Sequence, residues 1–123
     1  MAQMKKNIIC FDLDNVICFT KKNFYKKSKP NIEAIEKINF LYKKGFIIKI
    51  FTSRFMGRSN ENISIAKKKG FKFTKKQLIS WGVKYHSLIF GKPSFDLYID
   101  DKAIFFKKKW PKHILNYTKK IKK

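Results

Sequence analysis

Ile8-Ile9-Cys10-Phe11-Asp12-Leu13-Asp14-Asn15-Val16 is an apolar run that ends abruptly in two carboxylates. A short apolar run of this kind is typical of a buried strand. A second run, residues 97–99, ends in the same way at Asp100 and Asp101. The chain has only 8 acidic residues against 30 basic ones, so surface solubility does not explain these positions. Like charges held close together need a counter-charge, which a hard divalent cation with oxygen ligands would supply.

Strand and helix patterns alternate along the chain, which predicts an α/β fold with a parallel sheet covered by helices. We predict strands over residues 7–12, 46–52, 87–90 and 97–99. Helices are predicted from Pro30 to Gly45, over residues 60–69, and from a capping box at Thr74 to Gly82. Residues 16–29 are predicted as a loop or small flap, and residues from about 110 to 123 as a basic tail.

The length of 123 residues predicts one domain. With the alternation of strands and helices, we expect a Rossmann-like three-layer sandwich with a mostly parallel central sheet. Cys10 and Cys18 are predicted to be free, buried thiols, as suits a reducing cytosol. The first apolar run is too short for a signal peptide, and no run approaches the roughly 20 residues of a membrane span. We therefore expect a soluble, cytoplasmic protein.

The net charge of +22 suggests a polyanion as partner. Of the 30 basic residues, however, only Arg54 and Arg58 are arginines, and base or phosphate recognition usually favours the planar fork of arginine. The lysines are spread along the chain, which favours a solvated surface. Nucleic-acid binding is therefore the second interpretation of the charge rather than the first.

Polar residues follow each predicted strand, and ligands of open parallel sheets bind at that edge. They are Asp12 and Asp14 after the first strand, Thr52 after the second, Lys92 after the third, and Asp100 with Asp101 after the fourth. A carboxylate can attack phosphorus, and a second one can transfer protons. A threonine and a lysine can bind phosphoryl oxygens, and Mg²⁺ would screen the charges. This order of residues predicts phosphoryl-transfer chemistry.

These four elements resemble the haloacid dehalogenase (HAD) superfamily of phosphohydrolases. The resemblance implies that Asp12 is the nucleophile that forms an aspartyl-phosphate and that Asp14 is the general acid and base. It implies that Thr52 and Lys92 bind the transferring phosphoryl group. It also implies a Mg²⁺ ion held by Asp12, the backbone carbonyl of Asp14, and Asp100, with Asp101 as a further or water-mediated ligand.

A narrower likeness covers about residues 7–105. The stretches Phe51-Thr52-Ser53-Arg54-Phe55-Met56-Gly57-Arg58, Phe90-Gly91-Lys92-Pro93 and Tyr98-Ile99-Asp100-Asp101-Lys102-Ala103 are similar to small HAD proteins of capsular and surface-polysaccharide biosynthesis. The likeness implies a phosphatase acting on a sugar phosphate or related small metabolite. The loop carrying Ser53, Arg54 and Arg58 would contact that substrate together with Thr52 and Lys92.

The spaces between the motifs are too short for the large cap domains of many HAD relatives. The predicted site is therefore open, shielded by the flap, by a large substrate or by a neighbouring subunit. Homo-oligomer formation is a hypothesis that follows from this exposure.

Three other functions are compatible with parts of the pattern. A nucleotidase or polynucleotide-end phosphatase would keep the chemistry and use the basic surface. A receiver-type signalling domain also uses carboxylates, a threonine and a lysine, but its acidic pair comes first, whereas a DxD comes first here. A non-catalytic basic binding module would leave the carboxylate clusters unexplained.

Overall fold

A computed structural model describes residues 7–104, 110–112 and 114. In chain order, its strands are β1 (Ile8–Asp12), β2 (Cys18–Phe19), β3 (Lys29–Pro30), β4 (Ile47–Thr52) and β5 (Ser87–Phe90). Its two longer helices are α1 (Ile32–Lys43) and α2 (Ile63–Ser80). The chain is thus a small mixed α/β domain, as its alternating pattern predicts.

Strands β1, β4 and β5 form a parallel sheet in the order β1-β4-β5. Asp12 pairs with Phe51, and Thr52 pairs with Phe90, so the three strands end at the same edge. The predicted strands that end at Asp12, Thr52 and Phe90 are therefore confirmed, to within a residue at each boundary. This shared edge brings together residues that are far apart in the sequence.

Helix α1 covers the sheet with one apolar face. Ala34, Ile35, Ile38 and Leu41 are buried at helical spacing, against the buried residues of β4. Asn31 caps the helix, because its side-chain oxygen accepts a hydrogen bond from the Ala34 backbone N–H at 3.2 Å. The prediction that Pro30 opens the helix is corrected, since that residue ends β3 one position before the cap.

Helix α2 is continuous where two helices were predicted, one ending at Gly70 and one capped by Thr74. Both residues are buried inside α2, on the stripe Ala66, Gly70, Thr74 and Leu78. A Cβ at position 70 would lie 2.3 Å from the Phe55 ring, so Gly70 allows the ring to approach the helix backbone. The glycine is therefore a packing requirement rather than a helix end.

The predicted fourth strand is absent from the described part of the chain. Residues 97–99 have no strand pairing, and Leu97 and Ile99 are 78% and 88% exposed. Asp100 and Asp101 consequently do not follow a strand of the sheet. The apolar run resembles a buried strand locally, but no described neighbour pairs with it.

Near the C-terminus, Trp110, Pro111 and Ile114 are buried. The Trp110 ring packs on Phe11 of β1 with centroids 5.3 Å apart. The prediction of a basic tail from about residue 110 is therefore corrected for these positions, and residues 115–123 lie outside the described part.

The two cysteines differ in environment. Both are free, but Cys18 is buried whereas Cys10 is exposed, so the prediction of a buried thiol is wrong for Cys10. Cys10 and Phe11 alternate across β1, and only the Phe11 face lies in the core. The sheet is thus covered unevenly by the described residues.

The predicted flap is an ordered segment rather than an open loop. Strands β2 and β3 pair antiparallel, and a single 3-10 turn over Tyr25–Lys27 lies between them.

Among the described residues, no helix is long and apolar enough to cross a membrane.

Candidate active site

Asp12 and Lys92 meet at the carboxyl edge of the sheet. Lys92 Nζ lies 3.4 Å from Asp12 Oδ1. The Asp12 side chain keeps 38% of its exposure, whereas that of Lys92 keeps 15%. The carboxylate is therefore open to a ligand while its cation partner is held by the protein.

The backbone around Gly91 brings Lys92 to this position. Gly91 has φ +109°, which L-amino acids rarely adopt, and a Cβ there would lie 3.0 Å from the Ile63 side chain. The Lys92 N–H then donates to the Thr52 carbonyl at 3.1 Å, which extends the ladder between β4 and β5 by one rung. The lysine is thus fixed by the sheet itself.

Two aromatic rings complete the surroundings of the Lys92 ammonium. Its Nζ lies 5.3 Å from the Phe95 ring centroid and 5.5 Å from that of Tyr98, and these rings stack on each other. Cation–π contacts of this kind limit where a flexible lysine can go. Sequence reasoning missed both contacts, and the available signal was the placement of aromatic residues three and six positions after Lys92.

Burial raises the pKa of Asp12, because the carboxylate loses solvation at the strand end. The Lys92 ammonium and the Leu13 backbone N–H act in the opposite direction and lower the pKa of Asp12. Asp12 is thus a partly desolvated carboxylate beside one cation, unlike a fully solvated surface carboxylate.

Asp14 faces a different partner, Arg54. Arg54 Nη2 donates to Asp14 Oδ1 at 2.8 Å, and Arg54 Nε donates to Asp14 Oδ2 at 3.0 Å. The Thr20 hydroxyl also donates to Asp14 Oδ1 at 2.6 Å. Asp14 is therefore fixed by a two-point charged contact from the next strand end and a hydroxyl from the flap.

The remaining contacts of Arg54 lie within the protein. Its Nη1 donates to Gln77 Oε1 at 2.6 Å and to Thr74 Oγ1 at 3.3 Å, both on α2. The guanidinium lies 4.9 Å from the Tyr25 ring centroid, and Arg54 is 1% exposed. The prediction that Arg54 contacts substrate is corrected, since these partners use the guanidinium inside the fold. Gln77 and Tyr25 are partners that local sequence reasoning missed.

Arg58 also binds the flap. Its guanidinium donates to the Asn23 carbonyl at 3.0 Å and lies 4.7 Å from the Phe55 ring centroid. In this arrangement it joins the loop after β4 to the flap. A substrate contact for Arg58 remains a prediction that no described contact supports.

Thr52 ends β4 and is buried. Its Oγ1 accepts a hydrogen bond from the Arg54 backbone N–H at 3.1 Å. Ser53 follows as a half-buried residue whose carbonyl accepts from the Met56 N–H. Thr52 thus lies at the same sheet edge as Asp12 and Lys92, on the middle strand between them.

The turn after Asp14 depends on Asn15, which has φ +66°. Asparagine adopts this left-handed conformation more readily than most residues. Its side-chain oxygen accepts from the Thr20 N–H at 3.0 Å, which ties the turn to β2. The turn directs the chain into the flap directly after the two carboxylates.

Asp100 and Asp101 are both exposed. Asp100 accepts hydrogen bonds from the Lys102 N–H at 2.8 Å and the Tyr98 hydroxyl at 3.1 Å, which lower its pKa. Within residues 7–104 and the short described part beyond, no group of three or more His, Cys, Asp or Glu side chains could hold a metal ion. The predicted Mg²⁺ ligands Asp12, Asp14, Asp100 and Asp101 therefore do not form a fitting donor set here.

A separate cleft of about 690 Å³ lies between the flap and α2. Its aromatic lining is Phe24, Tyr25, Phe55 and Phe73. Its basic lining is Lys26, Lys27, Arg58 and Lys69. We call it the flap cleft, and no acidic residue of the described part of the chain lines it.

Comparisons with known proteins establish the fold and nothing finer. No family model matches the sequence, and no curated protein is significantly similar to it. The crystal structure of a target protein from Vibrio cholerae is similar, with a TM-score of 0.79 and 23% sequence identity. The alignment covers 93% of this chain and 98% of that protein. At this level of identity the likeness shows a shared α/β fold.

Proposed function

We propose that the protein is a phosphomonoesterase that acts on a small phosphorylated metabolite, with Asp12 as nucleophile. The observation that carries the proposal is the Asp12–Lys92 pair at the carboxyl edge of three parallel strands. Asp12 is half exposed and Lys92 lies 3.4 Å away, so a phosphoryl group at Asp12 would also meet the ammonium. Positioning and charge stabilisation are the main tasks of phosphoryl transfer, and this pair supplies both.

The proposed reaction has two steps. An Asp12 carboxylate oxygen attacks phosphorus, the ester P–O bond breaks, and the alcohol leaves with a proton from solvent. Water then attacks phosphorus, the Asp12–phosphorus bond breaks, and inorganic phosphate is released. Lys92 and the Thr52 hydroxyl would bind the phosphoryl oxygens in both steps.

Asp14 fits one part of its proposed role. As a carboxylate fixed by Arg54, it can accept the proton of the attacking water in the second step. Its fixed position would orient that water relative to Asp12.

Mg²⁺ enters the proposal through the sequence resemblance alone. The described carboxylates do not converge on an ion, so no step of the reaction is routed through one. Assays with Mg²⁺ and with a chelator would decide the requirement directly. Lost turnover in the chelator would indicate that the reaction requires a metal ion.

The direct test uses an aryl phosphate. Purified protein should release inorganic phosphate from it, and Asp12→Asn should abolish release because an amide is a poor nucleophile. Glu36→Gln removes the same negative charge at an exposed position on α1 and should retain activity. No release by the wild-type protein from a panel of aryl, sugar and nucleoside phosphates would contradict the proposal. A sugar phosphate as best substrate would support the surface-polysaccharide assignment.

A nucleotidase or polynucleotide-end phosphatase is the second candidate. One observation favours it, namely the basic and aromatic lining of the flap cleft. The same substrate panel separates the two candidates, because nucleoside phosphates or phosphorylated oligonucleotides would then exceed sugar phosphates.

A further inference from the structure

The flap cleft combines flat apolar surfaces with positive charge. Phe24, which lines the cleft, is 56% exposed. Tyr25 and Phe55 pack against each other with centroids 5.0 Å apart, and they hold Arg58 between the flap and the loop after β4. Phe24 therefore offers an exposed aromatic surface in a cleft that the Tyr25–Phe55 pair also lines.

The charge around the cleft is not neutralised within the described part of the chain. Its two ion pairs are Asp14–Arg54 and Asp12–Lys92, and neither involves a basic residue of the cleft lining. Lys26, Lys27 and Lys69 are exposed. An anionic ligand would therefore find cations without competing carboxylates.

The basic surface continues beyond the cleft in both directions. The segments 21–29 and 67–76 each contribute residues to the cleft lining, and together they contain eleven lysines. All eight acidic residues of the chain lie outside these two segments. On α2, Lys69, Lys72 and Lys76 follow at spacings of three and four, which places them on the side of the helix that carries Phe73. The pattern fits an extended polyanion better than a single phosphate.

We propose that the flap cleft binds single-stranded nucleic acid, with an unpaired base stacked on Phe24 and phosphates on the lysines of both walls. Non-specific single-strand binders use this combination of a basic groove and aromatic platforms. Lysine binds a phosphate as a point charge, which is sufficient where no base is read. This inference is independent of phosphatase activity, since binding needs no turnover at Asp12.

Binding is tested by fluorescence anisotropy with a labelled oligothymidylate of about 12 nucleotides, within the site sizes known for such proteins. We expect binding that weakens steeply between about 50 and 200 mM salt. A duplex and an abasic strand of the same length should bind more weakly, because neither offers free bases. Equal binding of these probes would overturn the stacking part of the proposal, and absence of binding at low salt would overturn all of it.

Matched variants locate the site. Phe24→Ala should weaken binding about 5- to 150-fold, the range measured for loss of one stacked base. Phe40→Ala removes another exposed phenylalanine, on α1, and should leave affinity unchanged. Equal effects of these two variants would show that the flap cleft is not the site.

Paired lysine variants test the electrostatic part. Lys26→Gln with Lys27→Gln should flatten the slope of log affinity against log salt by up to about 1.4, at about 0.7 per lost phosphate contact. Lys43→Gln with Lys84→Gln removes the same charge at the opposite edge of the sheet and should leave the slope nearly unchanged. Equal slopes for the two double variants would show that binding depends on net charge alone, and the flap cleft would not be the binding site. Circular dichroism checks that each variant is folded.

Discussion

Arg54 and Asp14, which are 40 residues apart in the sequence, form a hydrogen-bonded ion pair with a shortest N–O distance of 2.8 Å. The Arg54 side chain has no exposed surface, whereas that of Asp14 keeps 21%. A buried guanidinium without its carboxylate would be an uncompensated charge. The pair therefore makes the position of Asp14 depend on α2, where Thr74 and Gln77 bind the other side of Arg54.

Breaking this pair should destabilise the fold. Arg54→Met should lower the free energy of unfolding by about 3 kcal/mol, at the low end for buried pairs because Asp14 keeps some solvent contact. Arg58→Met removes an exposed arginine from the same loop and should cost no more than about 1 kcal/mol. Urea denaturation measures both changes. Equal losses would mean that the Arg54–Asp14 contact adds little to stability.

The pKa values of Asp12 and Asp100 should be shifted in opposite directions from the usual aspartate value. The folded pKa of Asp12 is raised by burial, so its contribution to stability falls as pH rises from about 3.9 through that raised value. The folded pKa of Asp100 is lowered by its hydrogen bonds, so its contribution is present above about 3.9 and is lost as pH falls through the lowered value.

Carbon-detected NMR of the aspartate carboxyl groups measures both titrations in one sample. Asp12 should titrate above an unfolded reference peptide, and Asp100 below it. Asp12→Asn should gain stability relative to wild type as pH rises through the Asp12 titration. An Asp12 pKa below the reference would contradict the burial described here.

Gly70 and Gly57 offer a matched pair of helix and turn substitutions. Alanine has the higher helix propensity by about 1 kcal/mol, yet a Cβ at position 70 would lie 2.3 Å from the Phe55 ring. We expect Gly70→Ala to destabilise by about 1 kcal/mol net, because overpacking outweighs propensity. Gly57→Ala has open space and should be nearly neutral. Thermal or urea unfolding compares the two, and a stabilised Gly70→Ala would refute the packing argument.

Lys92 should matter for both electrostatics and turnover. Lys92→Met should raise the Asp12 pKa further, because the ammonium lowers it in the wild-type protein. If the proposed phosphatase reaction is right, kcat should fall about 10²- to 10³-fold, as for loss of one oxyanion donor. Lys102→Met carries the same charge change at an exposed position and should alter neither quantity. An unchanged Asp12 pKa in Lys92→Met would show that the ammonium does not interact electrostatically with Asp12.

The parts of the fold that could be predicted are those set by local periodicity. The apolar runs ending at Asp12 and Thr52, and the helical face of α1, carry their own period and their own end signals. The convergence of Asp12, Thr52 and Lys92 followed from one further rule, that parallel strands end at the same edge. Those residues were therefore within reach of sequence reasoning.

The errors fall where a distant residue decides the outcome. Gly70 and Thr74 resemble helix boundaries locally, but Phe55 and Arg54 pack against them in the interior of α2. The four-residue spacing of Ala66, Gly70, Thr74 and Leu78 was a usable signal of one continuous helix. Residues 97–99 have the composition of a strand, yet composition does not specify a pairing partner.

The hydrogen bond from the Lys92 N–H to the Thr52 carbonyl makes the position of Lys92 depend on the register between β4 and β5. Side chains alternate along an extended chain, so deleting one residue from β5 would turn the ammonium toward the opposite side. Chain length before Ser87 could vary through the loop, but β5 itself could not shorten without separating Lys92 from Asp12. Natural variation in insertions should therefore concentrate ahead of β5 and avoid the strand.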